Sequence, residues 1–477
     1  MNFTMSTNPI AAVLHKLESD HAPAALLAAF GEQVQRVKSG ETGLLSESDI
    51  QPVPDLPNLD SLGRYAASSE AALRQTVVIK LNGGLGTGMG LDRAKSLLPV
   101  KNGLTFLDII ARQILHLRQT YSAPLPLLLM NSFATEADTL AALARHPGVA
   151  SGQPRVPLSF LQHRVPKLKA DTMEPIAWPA NPELEWCPPG HGDLYTALLA
   201  TGLLDRLLAA GLRYAFVSNA DNLGATLDLS LLGYLAERKL PFMMEATART
   251  EADRKGGHLA RRPGGGLLLR ESAQCPAAET AAFQDIQRHR YFNTNNLWVD
   301  LQALRSLVDR TGHPPALPVI VNRKTVDPRD SQSPAVVQLE TAMGAALAVF
   351  EGAEAVCVPR TRFAPVKTTD DLLGLWSDAF VLDAQSRLSL HPARANVPPV
   401  IKLDPRFYKL WPDFEKRFPA GAPALLDCVS LAVEGDVAFG PQVRVRGSVT
   451  LQSGGTNPAE VHNRDLGQIG SAQTIQV

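Results

Sequence analysis

The chain has 477 residues, 46 basic against 47 acidic side chains, and 45% apolar residues. That length can bury a large core and ordinarily divides into two or three domains, while the balanced charge leaves no basic face for nucleic acid or anionic lipid. No apolar run approaches the roughly 18 residues of a membrane helix, and the four cysteines, Cys187, Cys275, Cys357 and Cys428, are too dispersed for a metal knuckle or a disulfide framework. A soluble globular protein of a reducing cytoplasm is expected, with no targeting segment and no membrane or nucleic-acid partner.

In chain order, residues 8–38 read as helices, because Ile10, Val13, Leu14, Leu26, Leu27 and Phe30 recur at helical spacing. The proline-rich stretch 51–57 is a connector, since its prolines oppose both helix and central strand. From Thr76 short apolar runs alternate with amphipathic segments. Strands are expected at 76–81, 127–130, 158–161, 214–217 and 242–246. Helices are expected at 105–119, at 193–210 closed by Gly211, and at 228–239 capped by Asp228. Such alternation predicts a mainly parallel, doubly wound α/β sheet, whose ligands bind beyond the carboxyl ends of the strands. After a connector at 391–399 and a helix near 412–418, Leu431, Val437, Val443 and Val449 recur every six positions, and so do Phe439, Val445 and Leu451. Six is the period of a hexapeptide β-helix; a plain β-meander supplies half of these matches.

Four clusters stand out chemically. Strand 76–81 runs into Asn82-Gly-Gly-Leu-Gly-Thr-Gly-Met-Gly90, five glycines in nine residues, where missing Cβ atoms let backbone N–H groups approach phosphate oxygens. Met89 occupies the place of the lysine in a P-loop and of the last glycine in a dinucleotide fingerprint, so neither motif is completed. Lys95 follows within reach as a point charge. Strand 214–217 ends in Ser218-Asn-Ala-Asp-Asn222, where Asp221 is placed to hold Mg²⁺ between phosphates or, alternatively, to form an Asx-turn. His191, flanked by glycines in Pro188-Pro-Gly-His-Gly192 at a helix start, has little core to pack into. The amides of Phe292-Asn-Thr-Asn-Asn296, at a strand start, suit a neutral polyhydroxylated ligand.

Taken together and in order, these blocks resemble the eukaryotic-type UTP:glucose-1-phosphate uridylyltransferase (UDP-glucose pyrophosphorylase) family. The match covers residues 81–87 with Met89, Gly90, Lys95 and Ser96, then 188–193, 219–225, Gly256-Gly257, 292–298, 339–341, Arg362-Phe363 and 365–367. Departures at Ala94 and Ala220 bear on the branch of the family more than on the chemistry. The resemblance implies a nucleotidyltransferase-like (GT-A-like) mixed-sheet domain at 71–395, after a helical region at 1–70 and before a parallel β-helix at 396–477. It implies that Leu81, Asn82, Gly83 and Gly84 line the nucleotide with Asn219 and Ala220, and that Gln162 and Gly190 read uracil. Lys95 would hold the UTP phosphates, and Asp221 would bind Mg²⁺ and the α-phosphate. His191, Gly257, Glu271, Asn293 and Asn295 would surround the glucosyl phosphate, with Gly83 and Gly84 on the same face, while Lys367 would bridge the reacting phosphates.

The implied reaction is in-line attack of glucose-1-phosphate on UTP, giving UDP-glucose and pyrophosphate, with Lys95, Lys367 and Asp221 as the catalytic groups. Alternatives remain at this level: a pyrophosphorylase for another UDP-sugar or UDP-N-acetylhexosamine, a non-catalytic nucleotide-sugar-binding subunit, or a structural β-helix protein. A β-helix edge also allows a homo-oligomer.

Overall fold

The computed structural model describes residues 8–150, 155–395, 397–455 and 458–477. Its centre is a nine-stranded mixed sheet among the described residues. Ser159–Leu161, Leu127–Asn131, Thr76–Asn82 and Tyr214–Asn219 lie side by side and parallel, in that order. Alternate residues of these strands enter two separate cores. Val78, Leu127, Leu129 and Phe216 face one, with the helices Phe106–Tyr121 and Leu229–Glu237. Val77, Ile79, Leu128, Met130 and Val217 face the other, with Asp193–Ala200, Leu203–Ala209 and Leu301–Thr311. Strands buried on both faces read as continuous apolar runs for this reason.

Beyond Tyr214–Asn219 the expectation of a mainly parallel sheet fails. Tyr291–Asp300 joins antiparallel and carries Phe242–Ala248 antiparallel on its other side, which in turn pairs with Glu354–Cys357. Near Phe292 the same long strand meets the hairpin His258–Arg261/Leu267–Arg270. Strand direction is not encoded in local periodicity, so alternation of element types alone overstated the parallel content. The expected helix at 193–210 is likewise two helices. Gly202 adopts φ +66° between them, a left-handed conformation that starts a new helix at Leu203.

The N-terminal helices Pro9–Ser19 and Ala24–Lys38 bury Val13, Leu17, Phe30 and Val34 against a three-stranded antiparallel sheet, Ile320–Thr325, Ala335–Glu340 and Leu168–Lys169. The following connector crosses to the hairpin, where Gln51 forms a β-bridge with Arg261. At the other end, Val400–Leu403, Cys428–Glu434, Gly447–Gln452 and Ala472–Gln476 form one parallel sheet, joined by two shorter parallel pairs, Val437–Phe439 with Ala459–Val461 and Val443–Val445 with Arg464–Leu466. Leu431 pairs with Val449 and Val433 with Leu451, partners eighteen positions or three six-residue steps apart, while Val443 pairs with Arg464 and Ser448 with Ala472 at wider offsets. Every residue of both six-step series is buried, and their apolar cluster runs without a break into that of the central sheet.

Candidate active site

The glycine loop and the Asp221 turn meet because their strands are adjacent and parallel, with Leu81 in register with Asn219. Ala220 N donates to Leu81 O (3.0 Å) and Lys95 N to Gly84 O (3.1 Å), so strand end, loop and lysine form one ledge. Lys95 Nζ donates to Asp221 Oδ2 (2.7 Å) and to the Val366 carbonyl. Val366 N returns a bond to Asp221 O (3.2 Å), which brings the Lys367 segment onto the same ledge. The other carboxylate oxygen, Asp221 Oδ1, is buried without a hydrogen-bond partner. A buried anionic oxygen left unsatisfied is costly. The Asx-turn alternative does not describe this carboxylate, which is taken up by Lys95 and not by its own turn. The Asn82 side chain faces inward, donating to Asn131 Oδ1 (2.8 Å) and Thr139 Oγ1 (2.9 Å), which leaves its backbone to the ledge. Gly83 abuts Gln162: a Cβ there would lie 2.6 Å from Gln162 Oε1.

A second group of predicted residues assembles around the hairpin. Its strands end side by side, His258 in register with Arg270, so Gly257 and Glu271 are the next facing pair. A Cβ on Gly257 would sit 2.5 Å from Glu271 Oε2, so any larger residue would have to displace that carboxylate. Burial raises the Glu271 carboxyl above its ordinary range, opposed by the charge of Lys367 and a hydrogen bond from Asn293. Asn293 N also donates to Gly257 O (3.3 Å). The amide cluster is not at the start of its strand but inside it, at an irregularity: Glu245 pairs with Asn296 and Ala246 with Asn293, so Thr294 and Asn295 bulge out. Asn295 takes φ +57° and exchanges two bonds with Asn293. A bulge re-aims side chains, and here it brings the Asn293 and Asn295 amides together, with Asn295 the more exposed of the two.

His191 is partly exposed, and what fixes it is a hydrogen bond that the sequence does not announce. Burial pushes its imidazole down to about 4, so the ring is neutral at pH 7. Met343 N donates to Nδ1 (3.0 Å), which assigns the proton to Nε2 and leaves that atom free to donate. The loop is locked from below: Gly190 has φ +81°, and a Cβ there would lie 2.4 Å from Thr341 O. Gly344, next to Met343, lies 3.3 Å from Asn293 Nδ2 when given a Cβ, so the His191 loop and the amide cluster are neighbours.

Residues 27–446 match the family model described as UTP–glucose-1-phosphate uridylyltransferase. The chain belongs to that family. Among uridylyltransferases of the family, that of Solanum tuberosum is 41% identical over 425 residues, 88% of this chain and 86% of the relative. That of Saccharomyces cerevisiae is 40% identical over 416 residues, 86% of this chain and 81% of the relative. A variant UDP-glucose pyrophosphorylase of Leishmania major, solved in complex with UDP-glucose, is 45% identical and superposes with a TM-score of 0.91 over 98% of this chain and all of its own.

Family motifs single out the rim but not what supports it. Two sets of polar residues were missed. One is the fully buried Lys80 and Glu245, each a charge inside an apolar strand, which is a readable signal of a polar network. The other is Glu47, just ahead of the connector. Its carboxylate accepts from Arg270 Nη1 (2.6 Å), Arg288 Nε (2.6 Å) and His289 Nε2 (2.8 Å), and no local pattern announces it.

Proposed function

We propose that this chain transfers the uridylyl group of UTP to glucose-1-phosphate, giving UDP-glucose and pyrophosphate in a reversible reaction. The observation that carries this reading is the ledge on which Lys95 and Asp221 pair beside the Lys367 segment, at the carboxyl ends of parallel strands and against a glycine loop. A phosphate oxygen of glucose-1-phosphate attacks the α-phosphorus of UTP; the new P–O bond forms as the bond to pyrophosphate breaks, with no covalent enzyme intermediate. Two polyanions approach one another, so the protein's work is neutralisation and alignment.

Leu81, Gly83, Gly84, Asn219 and Ala220 line the nucleotide with the Asn82 backbone, and Gln162 and Gly190 face uracil. Lys95 neutralises the UTP phosphates. Lys367, which senses Glu271 on one side and follows Val366 on the other, bridges the two reacting phosphates. His191 donates through Nε2, and Glu271, Asn293 and Asn295 bind sugar hydroxyls beside Gly257.

Asp221 would hold Mg²⁺. The orphaned Oδ1 fits that role, and because the described residues contain no group of three or more acidic, His or Cys side chains, the remaining positions fall to phosphate oxygens and water. When bound, Mg²⁺ neutralises phosphate charge as it develops.

The finer architecture we read as a GT-A-like catalytic domain at 71–395 after a helical region at 1–70, and as a short parallel β-helix at 396–477, supported by the eighteen-residue register. Its outer strands leave edges through which copies can associate. Four free cysteines support a cytoplasmic location.

The test is an assay of pyrophosphate release and UDP-sugar formation with UTP, Mg²⁺ and a panel of sugar-1-phosphates. Glucose-1-phosphate giving the highest kcat/KM supports the reading. A preference for N-acetylglucosamine-1-phosphate or galactose-1-phosphate replaces the sugar, and no turnover with any of them leaves a binding protein.

A further inference from the structure

Beneath the ledge lies a polar network that substrates do not reach. Glu245 is fully buried in Phe242–Ala248, and its carboxylate accepts from Arg362 Nε and Nη2 (both 2.7 Å), Asn296 Nδ2 (3.0 Å) and Trp298 Nε1 (2.9 Å). Arg362 Nη2 also donates to Thr226 O (2.8 Å), and the Arg362 carbonyl accepts from Asn222 Nδ2 (3.1 Å) and Asn296 Nδ2 (3.2 Å). Asn222 Oδ1 accepts from Ala364 N (3.0 Å). On the far side, buried Lys80 donates to Ser218 Oγ (2.7 Å) and Ala225 O (2.8 Å).

Apart from the strand residues Asn296 and Trp298, these bonds converge on two chain segments. One, 218–226, carries Asp221; the other, 362–364, leads within three residues to Lys367. Above the network the two segments touch again, through Val366 N to Asp221 O and Lys95 Nζ to Val366 O. A buried ion pair is poor evidence for stability, since well-packed apolar side chains of similar size often do as well. What a carboxylate with four donors from fixed directions provides is a defined geometry, where an apolar contact could slide.

We propose that the Glu245–Arg362 pair, bridged by Asn222, is a positioning device for catalysis: it holds the Asp221 segment and the Lys367 segment at one fixed spacing. This rests on the reading of Asp221 and Lys367 given above. In-line transfer depends on that spacing, because both groups act on charge that develops between them. The glycine loop is tied to Lys95, and the His191 loop to Thr341 and Met343, by contacts outside the network. Loosening the network therefore slows turnover more than it weakens substrate binding.

Asn222→Ala removes the bridge and leaves the ion pair intact. Its kcat falls by about tenfold or more, while KM for UTP and for glucose-1-phosphate each stay within about threefold. Arg362→Lys keeps a charge beside Glu245 but loses the fork and the Thr226 contact; it shows the same split and carries the test should Asn222→Ala not fold. In a Lys367→Ala background, adding Asn222→Ala costs less than about threefold, because the bridge acts through Lys367. Full additivity in that double variant, or single variants with kcat within about threefold of the parent, overturns the device. Unchanged turnover in Lys367→Ala alone would instead remove Lys367 from the mechanism, and with it the reading on which the device rests.

Discussion

The two ends of the site are built on different principles. At the end we propose for the phosphates, charged groups stand by the carboxyl termini of parallel strands and are steadied from inside the core, by Lys80, Asn222 and the Glu245–Arg362 pair. At the end we propose for the sugar, the rim is made of amides, a neutral imidazole and a desolvated carboxyl on an antiparallel hairpin, and it is steadied from outside. Leu45 N donates to Gln274 O (2.7 Å), and Glu47 joins Glu279 in pairing with Arg270, the residue immediately before Glu271. A core-anchored end keeps its charged groups in a fixed geometry, whereas an end strapped by a surface segment holds its polar groups where sequence changes in one loop can retune them. Breaking each end should therefore leave different kinetic signatures.

The largest effect is expected at the phosphate end. Asp221→Ala should lose Mg²⁺-dependent turnover, by on the order of 10³-fold, with the fold retained by circular dichroism; ordinary Mg²⁺ activation in the variant would contradict the metal role. Lys367→Ala should lower kcat by about 10²–10³, the scale of removing one transition-state charge stabiliser, read in the same steady-state assay. At the sugar end the expected change is in binding. Glu47→Gln leaves buried Arg270 with a weaker partner, so KM for glucose-1-phosphate should rise about tenfold, a loss near 1.4 kcal/mol, while KM for UTP moves less than about twofold. Equal shifts in both constants would erase the distinction between the ends.

Acid should also act first on the sugar end. Burial holds His258 at about 3 and His191 at about 4, both well below the ordinary value of 6.5, so these rings are neutral when folded. The unfolded chain takes up protons below pH 6.5 that the folded chain refuses, so stability is complete above that pH and declines as pH falls toward 4. His258 stacks on His289 with ring centroids 3.8 Å apart, and His258→Phe keeps an aromatic ring there without the titration. That variant should show a shallower acid fall in Tm; an unchanged curve would clear His258 of the effect. The smallest effect serves as a control outside both ends. A Cβ at Gly202 meets nothing within 4 Å, so Gly202→Ala suffers only the φ +66° conformation, about 1 kcal/mol of stability, with kinetics unaltered.

Much of the rim was legible in the chain. The glycine loop, Lys95, Asp221, His191 and the Asn293–Asn295 amides lie in short, dense motifs, and their residue types state their chemistry. The strands beneath them were legible too, because double burial writes itself as unbroken apolar runs such as Val77-Val-Ile79. Less was visible where partners are distant in sequence. Arg362 appeared as part of a motif without a task, since its partner Glu245 lies on another strand. Glu47 lies just ahead of the proline-rich connector with no local pattern to mark it, and its three partners are brought to it only by the hairpin and the loop after it. His191 shows no partner in the sequence, because Met343 and Thr341 come from elsewhere in the chain.

By itself, then, the amino-acid order determined the local elements, the six-residue period of the C-terminal strands and the identity of the groups able to meet phosphate, because each depends on neighbours a few positions away. Only the tertiary structure decided that Tyr291–Asp300 runs antiparallel, that Asp221 shares its lysine with the Lys367 segment, and which buried charges compensate one another. Those outcomes depend on contacts between residues far apart in the chain, up to 271 positions for Lys95 and Val366, where no local preference carries information and the packing of the whole core selects the pairing.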